Sequence, residues 1–218
     1  MPRPDYEKLK KLFHQGNIGD NTYLLASDRL PFLKMFDLNT RFVASSDADI
    51  YQYQYLWIDI FPVDGFPSSE EESQHIVDQF QFYRKLLEYS RKKIFNGRTF
   101  GEKIVNFIKK AVTFKLLWCL LTQLIGAQRI ADWIDRKAQK YSYVQSEYVG
   151  CVSFGLSGMG ERIPKTGAES FCELVFEGRK MPAFSCWDSY LKGLFGDYMV
   201  LPPEAERVSH SLKGYIKE

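Results

Sequence analysis

The sequence predicts a folded chain that mixes helices with strands, in either an α/β or an α+β arrangement. Three observations predict this. The chain has 218 residues, of which 45% are hydrophobic and 16% aromatic. Short β-branched and aromatic runs suit strands, and longer segments repeat apolar residues at helical spacing. This length allows one compact domain with a substantial core, or two small domains.

Composition and charge exclude several classes of protein. The formal net charge is +2, which argues against nucleic-acid binding as the main activity. The four cysteines are scattered, without the spacing of a zinc site, and indicate reduced thiols in a cytosolic protein. Residues 1–7 carry no secretory signal, and the apolar run at 111–127 is too short and too polar for a membrane span. We therefore expect a cytoplasmic location.

The first part of the chain predicts one helix and two short strands. Pro4 suits the first helical position, where its missing N–H is not needed. Tyr6 and Leu9 follow at helical spacing. Residues 22–26 and 41–44 have strand character.

Asp47 and Asp49 form an acidic pair after the second predicted strand. On a strand, this spacing directs both carboxylates to one face, as metal-dependent phosphoryl transfer requires. The surrounding sequence, Ser-Ser-Asp-Ala-Asp, is typical of a loop. We therefore interpret the pair as a solvated turn.

Residues 55–67 form the stretch around which we expect the fold to be organised. Large and β-branched residues at 56–61 predict a strand buried on both faces, and Pro62 ends it because proline donates no ladder hydrogen bond. Asp59 is then an anomaly, since an ionised carboxylate inside an apolar strand is costly unless it is paired or metal-bound. It is either an ion-paired structural residue or a functional carboxylate. Asp64, in an Asp-Gly pair, is interpreted as a turn residue and is a secondary candidate for the site.

Two helical blocks follow this stretch. Ser69 opens the first block with a capping-box signature, and we expect the helix to reach Gly97. The second block covers residues 100–141, with a break near Gly126. The lysines around residues 103–110 make a basic amphipathic helix, which could rest on an anionic membrane surface. The favoured interpretation is an ordinary bundle helix with a solvated face.

The last third of the chain contains candidates for phosphate binding. The glycine-rich residues 155–160 lack the G-x-G-x-x-G order of a Rossmann loop. Arg162 and Lys165 follow them, and both side chains could contact phosphate oxygens. Residues 171–184 then predict a strand, a turn and a return strand, before a last helix that ends at Gly196.

Several blocks of this sequence together resemble the LicD family, which includes bacterial phosphocholine transferases and is related to fukutin-type proteins. The blocks occur in the family order and span nearly the whole chain, and their combination is specific. They are MPRPDYEKL (residues 1–9), WIDIFPVDG (57–65), GERIPK (160–165), FEG (176–178), YL (190–191) and FGDYMVLPP (195–203). The resemblance therefore predicts a single LicD-like domain over residues 1–218.

The resemblance implies an α+β fold of the nucleotidyltransferase type, with a small mixed sheet flanked by helices. It also implies a metal-dependent transfer of phosphocholine, or a related phospho-substituent, from a CDP-choline-like donor. The acceptor would be a cell-surface glycan or lipid-linked glycan precursor, such as lipopolysaccharide, teichoic acid or capsule polysaccharide. A peripheral contact with the inner face of the membrane is compatible with such an acceptor.

The resemblance also assigns roles to individual residues. In the family fold, carboxylates on neighbouring strands hold Mg²⁺ or Mn²⁺ against the donor phosphates. Asp59 matches one of these carboxylates and is the predicted metal-binding and catalytic residue. Arg3, Arg162 and Lys165 are the predicted contacts to the substrate phosphates.

The chain departs from the family pattern at its amino terminus. The family places a Trp-Asp-Asp-Asp-Ile-Asp type segment, with two metal-binding carboxylates, directly before the block that starts here at Met1. The resemblance therefore implies a domain truncated at its amino terminus. Because Mg²⁺ normally needs more than one carboxylate, we expect little transferase activity from the 218-residue chain. The alternative is a LicD-like binding or scaffolding protein without catalysis.

Overall fold

The computed structural model describes residues 1–12, 17–18, 22–44, 53–92, 94, 99–113, 115–207 and 212–216. This part of the chain is an α+β protein with several small antiparallel sheets, which confirms the predicted class. The helices are α1 (Arg3–Leu12), α2 (Glu70–Arg91), α3 (Phe100–Val112), α4 (Lys115–Ile125), α5 (Ala127–Ala138), α6 (Lys165–Glu169) and α7 (Trp187–Phe195). The strands are β1 (Asn17–Ile18), β2 (Tyr23–Ala26), β3 (Leu33–Asp37), β4 (Thr40–Ala44), β5 (Leu56–Ile60), β6 (Asp64–Phe66), β7 (Tyr148–Gly150), β8 (Ile163–Pro164), β9 (Phe171–Phe176), β10 (Arg179–Phe184) and β11 (Leu212–Ile216).

The described strands pair in four small sheets. The largest has the order β1-β2-β3-β5, and a second sheet has the order β6-β7-β8. The hairpin β9–β10 and the pair β4–β11 are the other two. These ladders are antiparallel, and an isolated bridge between Pro2 and Val63 is parallel. That bridge ties the start of α1 to the segment that links the two larger sheets.

The main hydrophobic core lies where α2 and α5 pack together. Its apolar side chains recur every three or four positions on each helix, which places them on one face. They meet aromatic residues of the connecting segments. The buried members are Leu30, Phe32, Phe66, Ile76, Val77, Phe80, Leu87, Ile130, Ala131, Ile134, Ala138 and Val152.

Local capping signals explain several helix ends. The Ser69 hydroxyl accepts a hydrogen bond from the Glu72 N–H, so α2 begins where the capping signature predicts. The helix ends at Arg91, earlier than the expected Gly97. The second helical block breaks at the predicted Gly126, which has φ +91°, and also after α3, where Thr113 is the C-cap.

The burial predicted for the central strand is wrong. β5 is present, but it lies at the edge of its sheet and pairs with β3 alone in that sheet. Ile58 is exposed, and the Asp59 side chain keeps 36% of its surface accessible. A continuous apolar run predicts burial on both faces, but the position of a strand within its sheet decides how much is covered.

The turn predicted at Asp64 is also wrong. Asp64 begins β6, pairs with Gly150 of β7, and is only 1% exposed. The glycine after it serves close packing, because a Cβ on Gly65 would lie 2.3 Å from the Ser146 hydroxyl oxygen. The Asp-Gly pair therefore marks a close approach of two chain segments and not a reversal of the chain.

In the described ranges, none of the helices combines the length and the apolar composition that crossing a bilayer needs.

Candidate functional site

A cleft of about 1180 Å³ lies beside the edge strand β5. Its walls come from the first residues of α1, the chain after β5, the loops around β7 and β8, and α7. Most of the wall is apolar, with aromatic rings from Phe61, Phe154, Phe184 and Tyr190. Among the described residues that line it, the charged side chains are those of Asp5, Asp59, Glu161, Lys165 and Glu169. The cleft is therefore aromatic and predominantly acidic.

Asp59, the predicted catalytic residue, lines this cleft and is paired with a lysine. Lys34 lies directly opposite on β3, and its Nζ is 3.4 Å from Asp59 Oδ1. The same ammonium lies 4.1 Å from the centre of the Trp57 ring. Burial lowers the pKa of Lys34, while the charge of Asp59 raises it. This geometry agrees with the ion-paired interpretation of Asp59 and still leaves part of its carboxylate open to the cleft.

The described residues do not complete a metal site around Asp59. Across the described ranges, no three His, Cys, Asp or Glu side chains come close enough together to hold a metal ion. The cation that faces Asp59 is the Lys34 ammonium. Asp47 and Asp49 lie outside the described residues.

Glu161 and Tyr190 form a second polar feature of the cleft, which the sequence analysis missed. The Tyr190 hydroxyl donates to Glu161 Oε2 over 3.2 Å, and the N–H groups of Ser157 and Leu156 also bond to this carboxylate. Burial raises the pKa of Glu161 above its ordinary value. Glu161 stands in the GERIPK block and Tyr190 in the YL block, so both blocks carried a signal, but only Arg162 and Lys165 of the first block were selected.

Cys151 lines the same cleft and is not suited to nucleophilic chemistry. Burial and the nearby charge of Glu161 raise the pKa of its thiol to about 12. The nucleophilic form of cysteine is the thiolate. At neutral pH this side chain is therefore a protonated, inert part of the wall.

Arg3, a predicted phosphate contact, is buried in an ion network. Its Nε and Nη2 donate to the two Asp64 oxygens over 2.6 and 2.8 Å, and its Nη1 donates to Asp135 over 2.7 Å and to Glu7 over 3.1 Å. Burial alone would lower the pKa of Arg3, but Asp64 and Asp135 raise it overall. Burial also raises the pKa of Asp64, to about 6, although its bonds from Arg3 oppose this shift. A phosphate would have to compete with these carboxylates for the same donors.

The other two predicted phosphate contacts take different positions. The Arg162 guanidinium stacks 3.4 Å above the centre of the Tyr148 ring and donates to the Ser68 carbonyl oxygen over 2.8 Å. Lys165 lines the cleft, and its Nζ donates to the Val144 carbonyl oxygen over 2.7 Å. The structure therefore brings Asp59 and Lys165 to one cleft, while Arg3 and Asp64 share a separate buried network.

Comparison with known proteins gives a similarity that covers nearly the whole chain. The chain is similar to the lipopolysaccharide cholinephosphotransferase LicD of Haemophilus influenzae, with 22% identity over 219 residues. This similarity covers 98% of the present chain and 77% of the relative. No protein-family profile and no solved structure matches the chain. The likeness to LicD agrees with the resemblance seen in the sequence blocks.

Proposed function

We propose that this protein is a LicD-like transferase that moves phosphocholine, or a related phospho-substituent, from a CDP-activated donor to a cell-surface glycan precursor. The observation that carries the proposal is the similarity over 98% of the chain to a protein named for cholinephosphate transfer to lipopolysaccharide. Lipopolysaccharide is therefore the first acceptor to test, with teichoic acid and capsule precursors after it.

The chemistry of the cleft supports a donor with a cationic head group. Quaternary ammonium groups bind over aromatic rings and near negative charge, and the cleft combines both features through residues such as Phe154, Tyr190 and Glu161. Lys165 is the proposed phosphate contact. Of the described residues that line this cleft, it is the one with a basic side chain. Choline would thus point toward Glu161 and its phosphate toward Lys165.

The proposed reaction is a displacement at phosphorus. A hydroxyl oxygen of the acceptor attacks the phosphorus that bears choline. The bond from that phosphorus to the bridging oxygen breaks, CMP leaves with the electron pair of that bond, and the hydroxyl proton passes to solvent. Asp59 is the proposed catalytic residue because its carboxylate opens on the cleft. Dependence on Mg²⁺ or Mn²⁺, with Asp59 as a ligand, stays a prediction, since no three ligating side chains of the described ranges converge.

A specific observation favours the second candidate function, a binding protein without catalysis. The Lys34 ammonium sits 3.4 Å from the Asp59 carboxylate, so the carboxylate already has a cationic partner. Such a protein would bind the donor and release no CMP.

Two measurements on the same preparation separate these functions. Calorimetry measures CDP-choline binding, and a coupled assay measures CMP release with lipopolysaccharide, in the presence of Mg²⁺ or EDTA. Glu161→Gln should weaken CDP-choline binding by about fivefold, because it removes a negative charge beside the proposed position of the choline cation. Glu173→Gln is the matched control, because Glu173 is an exposed carboxylate paired with Lys180 on the β9–β10 hairpin.

Each outcome decides between the alternatives. If CMP is released, and both the Asp59→Asn substitution and EDTA abolish that release, the protein is a metal-dependent transferase. Binding without CMP release supports the binding protein. Absence of both binding and release contradicts the proposed function.

A further inference from the structure

Helices α3 and α4 carry a wide apolar surface that the rest of the described chain does not cover. Soluble proteins rarely expose contiguous apolar patches of this kind without a binding role. Leu124 is the most accessible member, with 82% of its surface exposed. We call this region the α3–α4 surface; its exposed apolar members are Phe100, Ile104, Val105, Ile108, Leu117, Trp118, Leu120, Leu121, Leu124 and Ile125.

The way α4 is attached explains why so much of it is left exposed. The small side chains of Cys119 and Thr122, one turn apart, are the buried residues of this helix. The Thr122 hydroxyl donates to the Trp118 carbonyl oxygen, so its polar group is satisfied within the helix. Trp118 packs edge-on against Phe82 of α2, with ring centres 6.2 Å apart. A narrow seam therefore holds α4, and its larger apolar residues face outward.

The charge of this region is basic. Between residues 99 and 126 the sequence contains four lysines, at 103, 109, 110 and 115, and a single acidic residue, Glu102. The Glu102 carboxylate accepts from the Thr99 N–H at the start of α3, as part of a capping box. The acidic charge is therefore confined to one helix end. The Lys110 ammonium donates to the Ile94 carbonyl oxygen over 2.9 Å. Lys103, Lys109 and Lys115 are exposed and carry the outward positive charge.

We propose that the α3–α4 surface rests on an anionic membrane, with its apolar side chains in the interface and its exposed lysines near the lipid phosphates. Lysine-rich amphipathic helices with Leu, Phe and Trp on the other face bind such interfaces. With 13 and 11 residues, α3 and α4 are too short to cross a bilayer. Docking of a second copy through the same surface is disfavoured, because it would bring the lysines of both copies together.

This membrane contact does not depend on the proposed transferase activity. It stands on the exposed apolar residues and the lysines of α3 and α4, none of which lines the candidate cleft. A membrane position would hold the cleft near lipid-linked molecules of any class.

Vesicle flotation tests the proposal on the full 218-residue chain. The vesicles contain either phosphatidylcholine alone or a 7:3 mixture of phosphatidylcholine and phosphatidylglycerol, at low and high salt. The chain should float with the anionic vesicles at low salt and much less at high salt. Replacing Lys103 by Gln should weaken binding about fivefold, as expected for one surface charge near an anionic membrane.

Substitutions within the apolar surface test its insertion. The double substitution Leu121→Glu and Leu124→Glu should weaken binding by at least about tenfold, because each replaces an exposed leucine that would enter the membrane interface by a charged side chain. Val175→Glu is the matched control, because Val175 is 74% exposed on the β9–β10 hairpin, outside the surface. Brominated lipid should quench the fluorescence of the wild type, and should quench a Trp118→Phe variant less.

The opposite results would overturn the proposal. Absence of flotation at low salt would do so, as would equal binding to neutral and anionic vesicles or unchanged binding of Lys103→Gln. A wild-type dimer that Leu124→Glu converts to a monomer, without any vesicle binding, would assign the surface to a second copy of the chain.

Discussion

Arg3→Met should strongly destabilise the fold, because it leaves a buried carboxylate without its partner. Asp64 is 1% exposed and receives two hydrogen bonds from Arg3. Removing one member of a buried ion pair costs about 3–5 kcal/mol, since the other charge is left without compensation. Asp135 loses a bond from the same guanidinium. We therefore expect a decrease of about 3–5 kcal/mol in the free energy of unfolding at pH 7.

Urea denaturation measures this difference, and α1 itself provides the control. Lys8 and Asp5 form an ion pair of 3.0 Å on the same helix, but their side chains are 73% and 57% exposed. Exposed pairs contribute about 0–1 kcal/mol, so Lys8→Met should remain within about 1 kcal/mol of the wild type. The difference between the two substitutions therefore separates the effect of burial on stability from the effect of losing a positive charge.

The pH dependence gives the same prediction a second readout. Burial already raises the pKa of Asp64 from 3.8 to about 6, against the effect of Arg3. Without Arg3, the pKa in the folded state should rise further above the unfolded value. A carboxyl group shifted in this direction stabilises the fold while protonated and loses that contribution as the pH rises. The defect of Arg3→Met should therefore be small near pH 4 and grow as the pH rises beyond 6.

One result would refute this reasoning. If Arg3→Met unfolds like Lys8→Met at every pH and instead loses CDP-choline binding, Arg3 is a substrate contact. The buried network would then contribute little to stability, and the phosphate role predicted from the sequence would be correct.

Two further predictions concern the cleft and the packing beside it. In thermal melts, Glu161→Gln should be more stable than the wild type at pH 8 but not at pH 4. The reason is that burial raises the pKa of Glu161, so its charged form disfavours folding. Equal stability differences at both pH values would contradict this prediction. Gly160→Ala should destabilise the fold, since its Cβ would lie 2.0 Å from the Gly193 carbonyl oxygen. A Cβ on Gly101 in α3 would have no neighbouring atom within 4 Å, so Gly101→Ala should instead raise the free energy of unfolding by about 0.5–1 kcal/mol in urea denaturation. If Gly160→Ala were the more stable of these two variants, the close contact at Gly160 would not control stability.

The parts of the fold that follow from local signals were predictable. Ser69 caps α2 through a side chain three residues from its partner, and Gly196, with φ +68°, ends α7 as expected. The hairpin over residues 171–184 also forms as predicted, with β9 paired to β10. In each case the deciding interaction joins residues that are near one another in the chain.

The candidate site was predictable only in part. Asp59 and Lys165 were selected from the sequence and do line one cleft. Lys34 and Glu161 were missed, because a lysine on a short strand and a glutamate in a glycine-rich turn carry no local mark of their partners. Their significance depends on which strand pairs with β5 and where α7 lies.

By itself, the sequence indicated a fold that mixes helices with strands, most helix starts and the blocks that resemble LicD, and that resemblance narrowed the class to α+β. Only the tertiary structure decided which charges are buried and what they meet. Arg3 contacts Asp64 and Asp135, which lie 61 and 132 positions away in the chain, and Asp59 is accessible because β5 is an edge strand. The physical reason is that a residue's local preference depends on its neighbours in the chain, whereas the free energy of a charge depends on distant groups that folding brings within a few ångströms.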